Sequence, residues 1–402
     1  MSRAYLSEDV NALIFDIGSR SARIGYAGTD IATFDISSVA GVVPNFSDDN
    51  NGNDNYKTDQ YYFGDMHLKA NIPNMEIHNF MSEGCVSNWL LFEEMINFVY
   101  TKQLCTQPDQ HPVLFSEHVL NPRENRERLC EIMFEKFEIP AIQIIKNPVL
   151  SLFSQGKSNG VVLDIGHNCT VVAPVLDGYT MLRAVVQSST VAGYPLLQYY
   201  KKILKIDNKS LTVRVAENAT QSYKDYIGMS VMMDLTAATL QLYDRSPYDA
   251  TILEQMPHVT YELPDRTILD IGEERYRTSE RLFSTHQYNI EEAGKIDLAS
   301  MINSSVRLCD VDVRLPLYSN IFVVGGVSLI PGIVDRLSYE LSTRVPHSAK
   351  LKVVSPSNAS DKLYSTYIGG SIIASLGSFH SRWISKHEFS ENGNSIVHKK
   401  CL

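Results

Sequence analysis

Two short segments each place an aspartate and a glycine at the end of an apolar run. Asp16 and Gly18 follow the run in ALIFDIGS, and Asp164 and Gly166 follow the run in VVLDIGHN. A glycine turn after a strand presents backbone N–H groups to an anion, and the missing Cβ lets a phosphate approach closely. Two facing carboxylates would repel that phosphate unless a cation lay between them, and Mg²⁺ suits such a site because it retains water ligands. The pair therefore predicts two halves of one phosphate site, with Asp16 and Asp164 holding magnesium through waters.

Two further features extend this prediction. Arg23, on the strand that returns from the first turn, would add a positive charge facing a phosphate. Gly325 and Gly326 in VVGGVSLIPG end another strand and precede a helix that begins near Pro331. A nucleotide base and ribose would lie over this Gly-Gly backbone, and the alternative is a tight strand–helix turn. Each loop alone is more often an ordinary turn, and only the repetition of the Asp-x-Gly pair favours a nucleotide site.

The elements that must position these residues repeat as well. A strand, an Asp-x-Gly turn and a returning strand recur after roughly 150 residues, which indicates internal duplication of an α/β unit. We expect hairpin strands at 12–16 and 21–27 and a second strand cluster over 160–187 with a tight turn at DGY. Two similar lobes that face each other leave a cleft, the usual place for a ligand.

Other segments predict helices and one loop. Apolar spacing predicts a helix over 89–104, and NPRENRERLCEIMFEKF predicts a capped helix with Asn121 as its cap. The segment 367–389 predicts an apolar helix, and the polar stretch 45–60 predicts a surface loop.

The composition excludes several classes of protein. The chain has 402 residues and a net charge of −10, which disfavours binding to nucleic acid through charge alone. Its six cysteines have neither disulfide-framework nor zinc-ligand spacing. We find no signal peptide and no apolar run of membrane-spanning length. We therefore expect a soluble intracellular protein that contacts no membrane and reads no DNA sequence.

Several of these segments are similar to those of one family. The sequences DIGSRSARIGYAG, VVLDIGHNCTVVAPVLDGY and FVVGGVSLIPGIVDRL, together with the C-terminal segment that ends in Lys400-Cys401-Leu402, resemble the actin family over nearly the whole chain. The resemblance implies an actin-like α/β ATPase fold, ribonuclease H-like and duplicated, with two lobes of two subdomains around a nucleotide cleft. The implied ranges are 1–37, 80–154 and 365–402 for subdomain 1, 38–79 for subdomain 2, 155–191 and 290–364 for subdomain 3, and 192–289 for subdomain 4.

The resemblance also implies a ligand, which is ATP with Mg²⁺. The implied nucleotide-binding residues are Asp16, Gly18, Ser19, Arg23, Asp164, Gly166, His167, Asn168, Gly193, Gly325, Gly326 and Val327.

The chain departs from conventional actin where hydrolysis is concerned. Actin orients the attacking water with a glutamine and a histidine, and the aligned residues here are Asn147 and Val171. Asparagine is shorter and valine offers no hydrogen bond, so the water would be poorly positioned. His167 and Asn168 replace an aspartate and a glycine, and Arg20 replaces a glycine. We expect ATP binding with little or no hydrolysis and no catalytic residues.

Other departures concern polymerisation. The polar stretch 45–60 stands where actin has an apolar loop that inserts into the next subunit, and Glu83 stands at a histidine position. We therefore expect a protein that does not form filaments.

A subclass is indicated by the run CDVDVR, by YDATILEQMP and by HPVLFSEHVLNPRENRERLCEIMFEKF. These resemble the nuclear actin-related proteins shared by SWI/SNF (BAF-type) and INO80-type remodellers and the NuA4/TIP60 histone acetyltransferase. The resemblance implies a nuclear structural subunit. It would pair with nuclear actin and dock on the helicase-SANT-associated helix of a remodeller motor or acetyltransferase scaffold, with histones as further candidate partners. The matching groove would use Ile368, Ile372, Ile373 and Leu376.

Enzymes remain the competing class. One alternative is an ATP-hydrolysing cytoskeletal actin-like protein that polymerises. Another is a sugar-kinase relative, which would need a carboxylate base that we do not find beyond the two aspartates. An Hsp70-like chaperone would need a further substrate-binding domain.

Overall fold

The computed structural model describes residues 11–44, 59–206, 215–216, 218–243, 255–283 and 296–401. Most of the stretch predicted as a polar surface loop, 45–58, lies outside the described residues. The described strands are Leu13–Ile17 (β1), Ser21–Tyr26 (β2), Phe34–Ser37 (β3), Val39–Val43 (β4), Gln60–Tyr62 (β5), Glu76–Asn79 (β6), Met81–Ser82 (β7), Cys85–Val86 (β8), Val113–Glu117 (β9), Ala141–Lys146 (β10), Gly160–Ile165 (β11), Thr170–Leu176 (β12), Tyr179–Thr180 (β13), Val186–Ser188 (β14), Val259–Glu262 (β15), Ile268–Ile271 (β16), Ile321–Val324 (β17), Val353–Val354 (β18) and Ile384–Ser385 (β19).

Helices lie between these strands. The described α-helices are Asp65–Leu68 (α1), Trp89–Phe98 (α2), Arg123–Glu131 (α3), Asn147–Phe153 (α4), Gly193–Ile206 (α5), Gln221–Thr239 (α6), Glu274–Glu280 (α7), Leu298–Leu308 (α8), Val311–Tyr318 (α9), Ile333–Ser342 (α10), Ala359–Ser375 (α11), Lys386–Asn392 (α12) and Val397–Lys400 (α13). Helix α2 continues as a π-helical segment over Val99–Leu104, so the predicted helix over 89–104 is confirmed.

Two six-stranded sheets share one topology. The first has the order β19-β10-β9-β1-β2-β3, and the second has the order β13-β12-β11-β17-β18 with β14 also paired to β12. In each sheet the first strand of a hairpin (β1–β2, β11–β12) pairs with a parallel strand (β9, β17), and that strand pairs with a second parallel strand (β10, β18). Every residue of β1 is buried, as expected for a strand covered on both faces. The predicted duplicated α/β fold is confirmed.

Each sheet is the centre of its own apolar core. The first lobe packs β1, β2, β9 and β10 against α2, α3 and the C-terminal helices. The small sheet β5-β4-β6 is continuous with this lobe, since Ala40 and Phe63 lie in the same core. The second lobe packs β11, β12 and β17 against helices α5 to α10. Two separate cores with a shared boundary are the arrangement that a cleft requires.

Helices α4 and α11 connect the lobes. Helix α4 runs from the end of β10 in the first sheet to β11 in the second, and α11 packs on it closely. A Cβ on Gly369 would lie 1.8 Å from the Leu150 carbonyl oxygen, so only glycine allows the two backbones to approach this far. The pair forms the floor of the cleft.

Two local predictions are wrong. Helix α3 begins at Arg123 without a side-chain cap, because the Asn121 side chain donates to Glu117 Oε2 (3.3 Å) and accepts from Asn125 (3.2 Å). The predicted helix over 367–389 is interrupted, because α11 ends at Ser375 and strand β19 pairs with the edge of the first sheet before α12 begins.

Two observations concern membranes and thiols. Among the helices described, none has the length and apolar content needed to cross a membrane. All six cysteines carry free thiols.

Candidate functional site

The first Asp-x-Gly turn joins β1 to β2. The Gly18 N–H donates to the Ser21 carbonyl oxygen at 3.0 Å, which closes the turn. Asp16 is 4% exposed, and its carboxylate accepts from Arg23 Nη1 (3.2 Å) and from the Ser116 hydroxyl (2.6 Å). The first carboxylate is therefore already neutralised by a cation and held by a hydroxyl.

The second turn repeats this backbone between β11 and β12. The Gly166 N–H donates to the Cys169 carbonyl oxygen at 3.1 Å. Burial and the nearby Asp16 charge raise the pKa of Asp164 to about 6, and the Arg23 charge opposes that rise only in part. Within the described residues we find no hydrogen-bond donor to the Asp164 carboxylate.

The Asp16 charge is thus close enough to disfavour the charged form of Asp164. A divalent cation between them would relieve this repulsion, and carboxylates with water are the ligands that Mg²⁺ prefers. The described residues contain no group of three or more His, Cys, Asp or Glu side chains that could hold a metal by itself. The donor set therefore fits a cation that is also held by waters and by a phosphate.

The third loop packs directly on the second. Gly325 has φ +91°, and a Cβ there would lie 2.4 Å from Asp164 Oδ1 and 2.5 Å from the Ile165 carbonyl oxygen. A Cβ on the exposed Gly326 would meet only Leu363, at 3.9 Å. Gly325 is therefore needed for packing, whereas Gly326 presents bare backbone to open space, where a nucleotide could lie.

The start of α5 contacts the second and third loops. The Gly193 N–H donates to the Gly166 carbonyl oxygen at 3.0 Å, and the Tyr194 N–H donates to the His167 carbonyl oxygen at 2.6 Å. A Cβ on Gly193 would be 3.2 Å from Val327 Cγ2, so glycine permits this approach. Residues predicted from three distant segments are thus brought together.

His167 itself is uncharged at neutral pH. Burial, and secondarily the Arg20 charge, lower its pKa to about 4. Its ring lies edge-on to Tyr194, with 5.9 Å between the ring centroids. Asn168, the next predicted residue, is half-buried in the same turn.

The turn between β7 and β8 joins the first and second loops. The Gly84 N–H donates to Ser19 Oγ at 2.8 Å, and the Cys169 thiol lies 3.8 Å from the Glu83 carbonyl oxygen. Both turn residues have positive φ, 48° for Glu83 and 84° for Gly84. Sequence reasoning identified Glu83 only by alignment and missed this junction.

Two other residues of the site were missed. Ser116 lies at the carboxyl end of β9, which runs parallel to β1, so its position beside Asp16 could have been inferred from the sheet order. Tyr364 lies under the Arg23 guanidinium, 5.4 Å from the ring centroid, and its hydroxyl donates to Asp35. No local sequence signal marks Tyr364.

The two positions aligned with water-orienting residues differ in polarity. Asn147 is the first residue of α4, and its Oδ1 is buried without a hydrogen-bond partner. An orphaned buried oxygen of this kind is accounted for by a water or ligand. Val171 is 5% exposed and packs in an apolar cluster with Val119, Cys169 and Ala173. The Val171 position therefore offers no polar group to a water.

The predicted groove residues divide between surface and core. Ile372 is 40% exposed and Leu376 50% exposed, whereas Ile368 is half-buried. Ile373 is buried in the same core cluster as Trp383, so its side chain is not available at the surface.

Two lobes of one topology that meet at paired phosphate-type turns define a nucleotide-cleft protein of the duplicated α/β class. The chain belongs to the actin family, since the family described as Actin matches residues 7–402. It is 32% identical over 441 aligned positions to Actin-related protein 4 of Arabidopsis thaliana, covering 99% of this chain and all of that protein. It is 30% identical over 442 positions to Actin-related protein 4 of Oryza sativa, in both the indica and japonica subspecies, with the same coverage. The chain is thus similar to actin-related proteins along its full length.

Proposed function

We propose that the chain is a non-filamentous nuclear actin-related protein that binds ATP with Mg²⁺ and hydrolyses it little or not at all. It serves as a structural subunit of chromatin-remodelling and histone acetyltransferase complexes. Its full-length similarity to proteins named Actin-related protein 4 supports this assignment.

One observation carries the proposal on hydrolysis. The phosphate-type turns and both aspartates are retained, while Val171 replaces a hydrogen-bonding group with an apolar side chain packed against Val119 and Ala173. A water beyond the terminal phosphate needs a base or an orienting acceptor within hydrogen-bond reach. Asn147 alone offers one, through its unpartnered Oδ1. Binding would therefore persist without efficient turnover.

Bound nucleotide would act on stability. A ligand that binds only the folded chain stabilises it by mass action, without being consumed. Asp16 and Asp164 would hold the magnesium waters, Arg23 would face a phosphate, and the bare backbone at Gly326 would accept the adenosine. The nucleotide would supply the cross-link between lobes that a structural subunit needs.

The partners follow from the exposed end of α11. Ile372 lies on the last turn of α11 and Leu376 directly follows the helix, and both side chains are exposed, which provides two apolar anchors for an amphipathic helix. On the family resemblance, that helix is the helicase-SANT-associated helix of a remodeller motor or acetyltransferase scaffold, with nuclear actin as the neighbouring subunit and histones as further partners.

Nucleotide binding and hydrolysis are tested first, with protein purified without added ligand. We expect stoichiometric ATP after denaturation and extraction, and phosphate release no faster than that from ATP in buffer. Released phosphate at an actin-like rate, together with sedimenting filaments under magnesium, would assign the chain to the polymerising class. Absence of any nucleotide, even after incubation with Mg²⁺-ATP, would contradict binding itself.

The groove is tested with the double variant Ile372→Asp/Leu376→Asp. We expect recovery of the motor helix and nuclear actin from nuclear extract to fall at least tenfold, with ATP content unchanged because neither residue contacts the phosphate-type turns. Leu90→Asp, at a residue 56% exposed on α2, is the matched control and should leave recovery intact. An equal loss of recovery in the double variant and in the control would contradict the groove assignment.

A further inference from the structure

We propose that the first two turns of α6 form a latch that closes the mouth of the cleft, whether or not nucleotide is bound. The latch comprises Thr220–Tyr226, and it contacts the small sheet β5-β4-β6 of the first lobe from the second lobe. Its effect on nucleotide release rests on the proposed function, but the closure itself does not. Floor and mouth would then both be joined, with the nucleotide site between them.

The latch has an apolar half. Met75 of the first lobe is 1% exposed and packs with Tyr223 and Ala219 of the second, which are 4% and 9% exposed. Half-buried side chains from both sides complete this cluster, including Tyr62, Ile77 and Ile227. Met75 also packs against Gly41 of its own lobe, so the contact with Tyr223 accounts for part of the burial of these two side chains. Opening the cleft would therefore return this apolar surface to water, at a cost proportional to its area.

The polar half consists of hydroxyl groups on α6 that bond to the first-lobe backbone. Thr220 Oγ1 donates to the Met75 carbonyl oxygen at 2.6 Å, and the Tyr223 hydroxyl donates to the Lys69 carbonyl oxygen at 2.9 Å. Ser222 Oγ accepts from the Ile77 N–H at 3.0 Å. The first-lobe partner in each of these bonds is a backbone atom rather than a mobile side chain. The three bonds therefore form together only in one closed arrangement of the lobes.

The Ile77 bond has a specific physical role. Among the described strands, β6 is an edge strand that pairs only with β4, so none of these strands bonds to its outer N–H groups. An unpaired edge is a liability that proteins cover with another element. Ser222 supplies the acceptor that an adjacent strand would otherwise supply. This bond at the edge of the small sheet can form only when the lobes are closed.

A fourth contact places the latch next to the first loop. The Tyr226 hydroxyl lies 3.4 Å from Ser37 Oγ, and Ser37 in turn donates to Asp65 at 2.8 Å. Ser37 ends β3, and the backbone N–H of the next residue, Ser38, donates to the Arg20 carbonyl oxygen in the first turn. A movement of the latch would therefore shift the end of β3, and with it the backbone of the first turn.

The test is the triple variant Ser222→Ala/Tyr223→Phe/Tyr226→Phe. It keeps the apolar packing and removes three hydroxyl groups that face the first lobe. Tyr261→Phe is the matched control, because the Tyr261 hydroxyl bonds to Asp234 within the second lobe. Both proteins are compared with the wild type, first stripped of nucleotide and then loaded with a fluorescent ATP analogue.

Hydrogen–deuterium exchange at the Ile77 amide measures closure without ligand. We expect this amide to be protected in the nucleotide-free wild type and in Tyr261→Phe, and to exchange about 10- to 100-fold faster in the triple variant. Rapid exchange at Ile77 in the nucleotide-free wild type would overturn the latch.

Chase with excess ATP then measures release of the fluorescent analogue. We expect dissociation to accelerate about 10- to 100-fold in the triple variant only. If Ile77 exchanges faster but the analogue dissociates at an unchanged rate, the latch does not control nucleotide release. If no analogue binds to the wild type, the proposed function fails, while the exchange result still decides the closure.

Discussion

The two Asp-x-Gly hairpins have the same backbone but different charges. Each turn is closed by a glycine N–H, at 3.0 Å in the first and 3.1 Å in the second. Across the first hairpin, Asp16 is paired in register with Arg23, whereas across the second Asp164 is paired with Val171. Residues directly opposite in an antiparallel pair share a face of the sheet. One aspartate thus has a cation beside it and the other has a methyl-bearing side chain.

This difference assigns different tasks to the two copies. The carboxylate of the first hairpin already has its partners, because Arg23 of the hairpin and Ser116 of the adjacent strand β9 both bond to it. The second retains an aspartate whose pKa is raised to about 6, so its charge is unfavourable until a cation arrives. Duplication has therefore produced one preformed half and one half that completes its charge balance with a ligand.

The largest expected effect comes from substitution of Gly325, which packs directly against the second hairpin. In Gly325→Ala the new Cβ would lie 2.4 Å from Asp164 Oδ1, at a φ of +91° that alanine rarely adopts. We expect the free energy of unfolding to fall by about 3 kcal/mol or more, with loss of bound ATP. Thermal unfolding and nucleotide extraction measure both.

Gly326→Ala is the control for this substitution, because its Cβ would meet only Leu363 at 3.9 Å and its φ is not positive. We expect a stability change within about 0.5 kcal/mol. Equal destabilisation by the two substitutions would show that the loop moves freely and that the contact with Asp164 is not what requires glycine.

Much of this fold could be predicted from the sequence. The hairpin of β1 and β2, the turn at Asp177-Gly178 and the long helix at α2 have strong local signals, namely alternation, a DG pair and helical spacing. The failures were helix boundaries: Asn121 found side-chain partners instead of capping α3, and the apolar run from Tyr367 was divided at Leu376 because β19 pairs with the first sheet. Both depend on contacts between residues that are distant along the chain.

The residues proposed for the site can be picked out from the sequence, but the contacts and charges around them cannot. Glycine and aspartate at strand ends are visible in the sequence. That Val171 lies in an apolar cluster, that Ser116 bonds to Asp16, or that Gly325 presses on Asp164 depends on the register between strands from separate segments. The latch of α6 on Met75 was equally invisible, because its side chains carry no motif.

The second prediction compares the two aspartates directly. A carboxyl group with a raised folded-state pKa loses stability as the pH rises from about 4 to about 6, and the penalty persists above that range. Asp164→Asn removes the charge, so we expect the nucleotide-free protein to become about 2 kcal/mol more stable at pH 7. Its affinity for Mg²⁺-ATP should fall at least tenfold, because a magnesium water loses its acceptor.

Asp16→Asn should behave in the opposite way when nucleotide is absent. It leaves the half-buried Arg23 with only the more distant Asp35 carboxylate, at 3.9 Å, and weakens the Ser116 bond, so we expect a loss of about 1–3 kcal/mol. Chemical denaturation of the two variants without ligand, at pH 7, decides the comparison. Destabilisation by both substitutions would mean that Asp164 has a donor in the folded protein and that the hairpins are electrostatically alike.

The smallest expected effect distinguishes the residues that follow the two glycines. His167 occupies in the second turn the place that Ser19 occupies in the first, and burial lowers its pKa to about 4. A histidine with a lowered folded-state pKa loses stability as the pH falls from about 6.5 to 4, because only the unfolded chain takes up the proton. In His167→Ser we therefore expect the drop in stability from pH 7 to pH 5 to shrink by about 1 kcal/mol. His118, whose pKa burial also lowers to about 4, remains in the variant and should preserve part of the drop. Denaturation curves at both pH values measure the difference, and an unchanged drop would show that the His167 ring reaches water, so that the second turn matches the first in this respect.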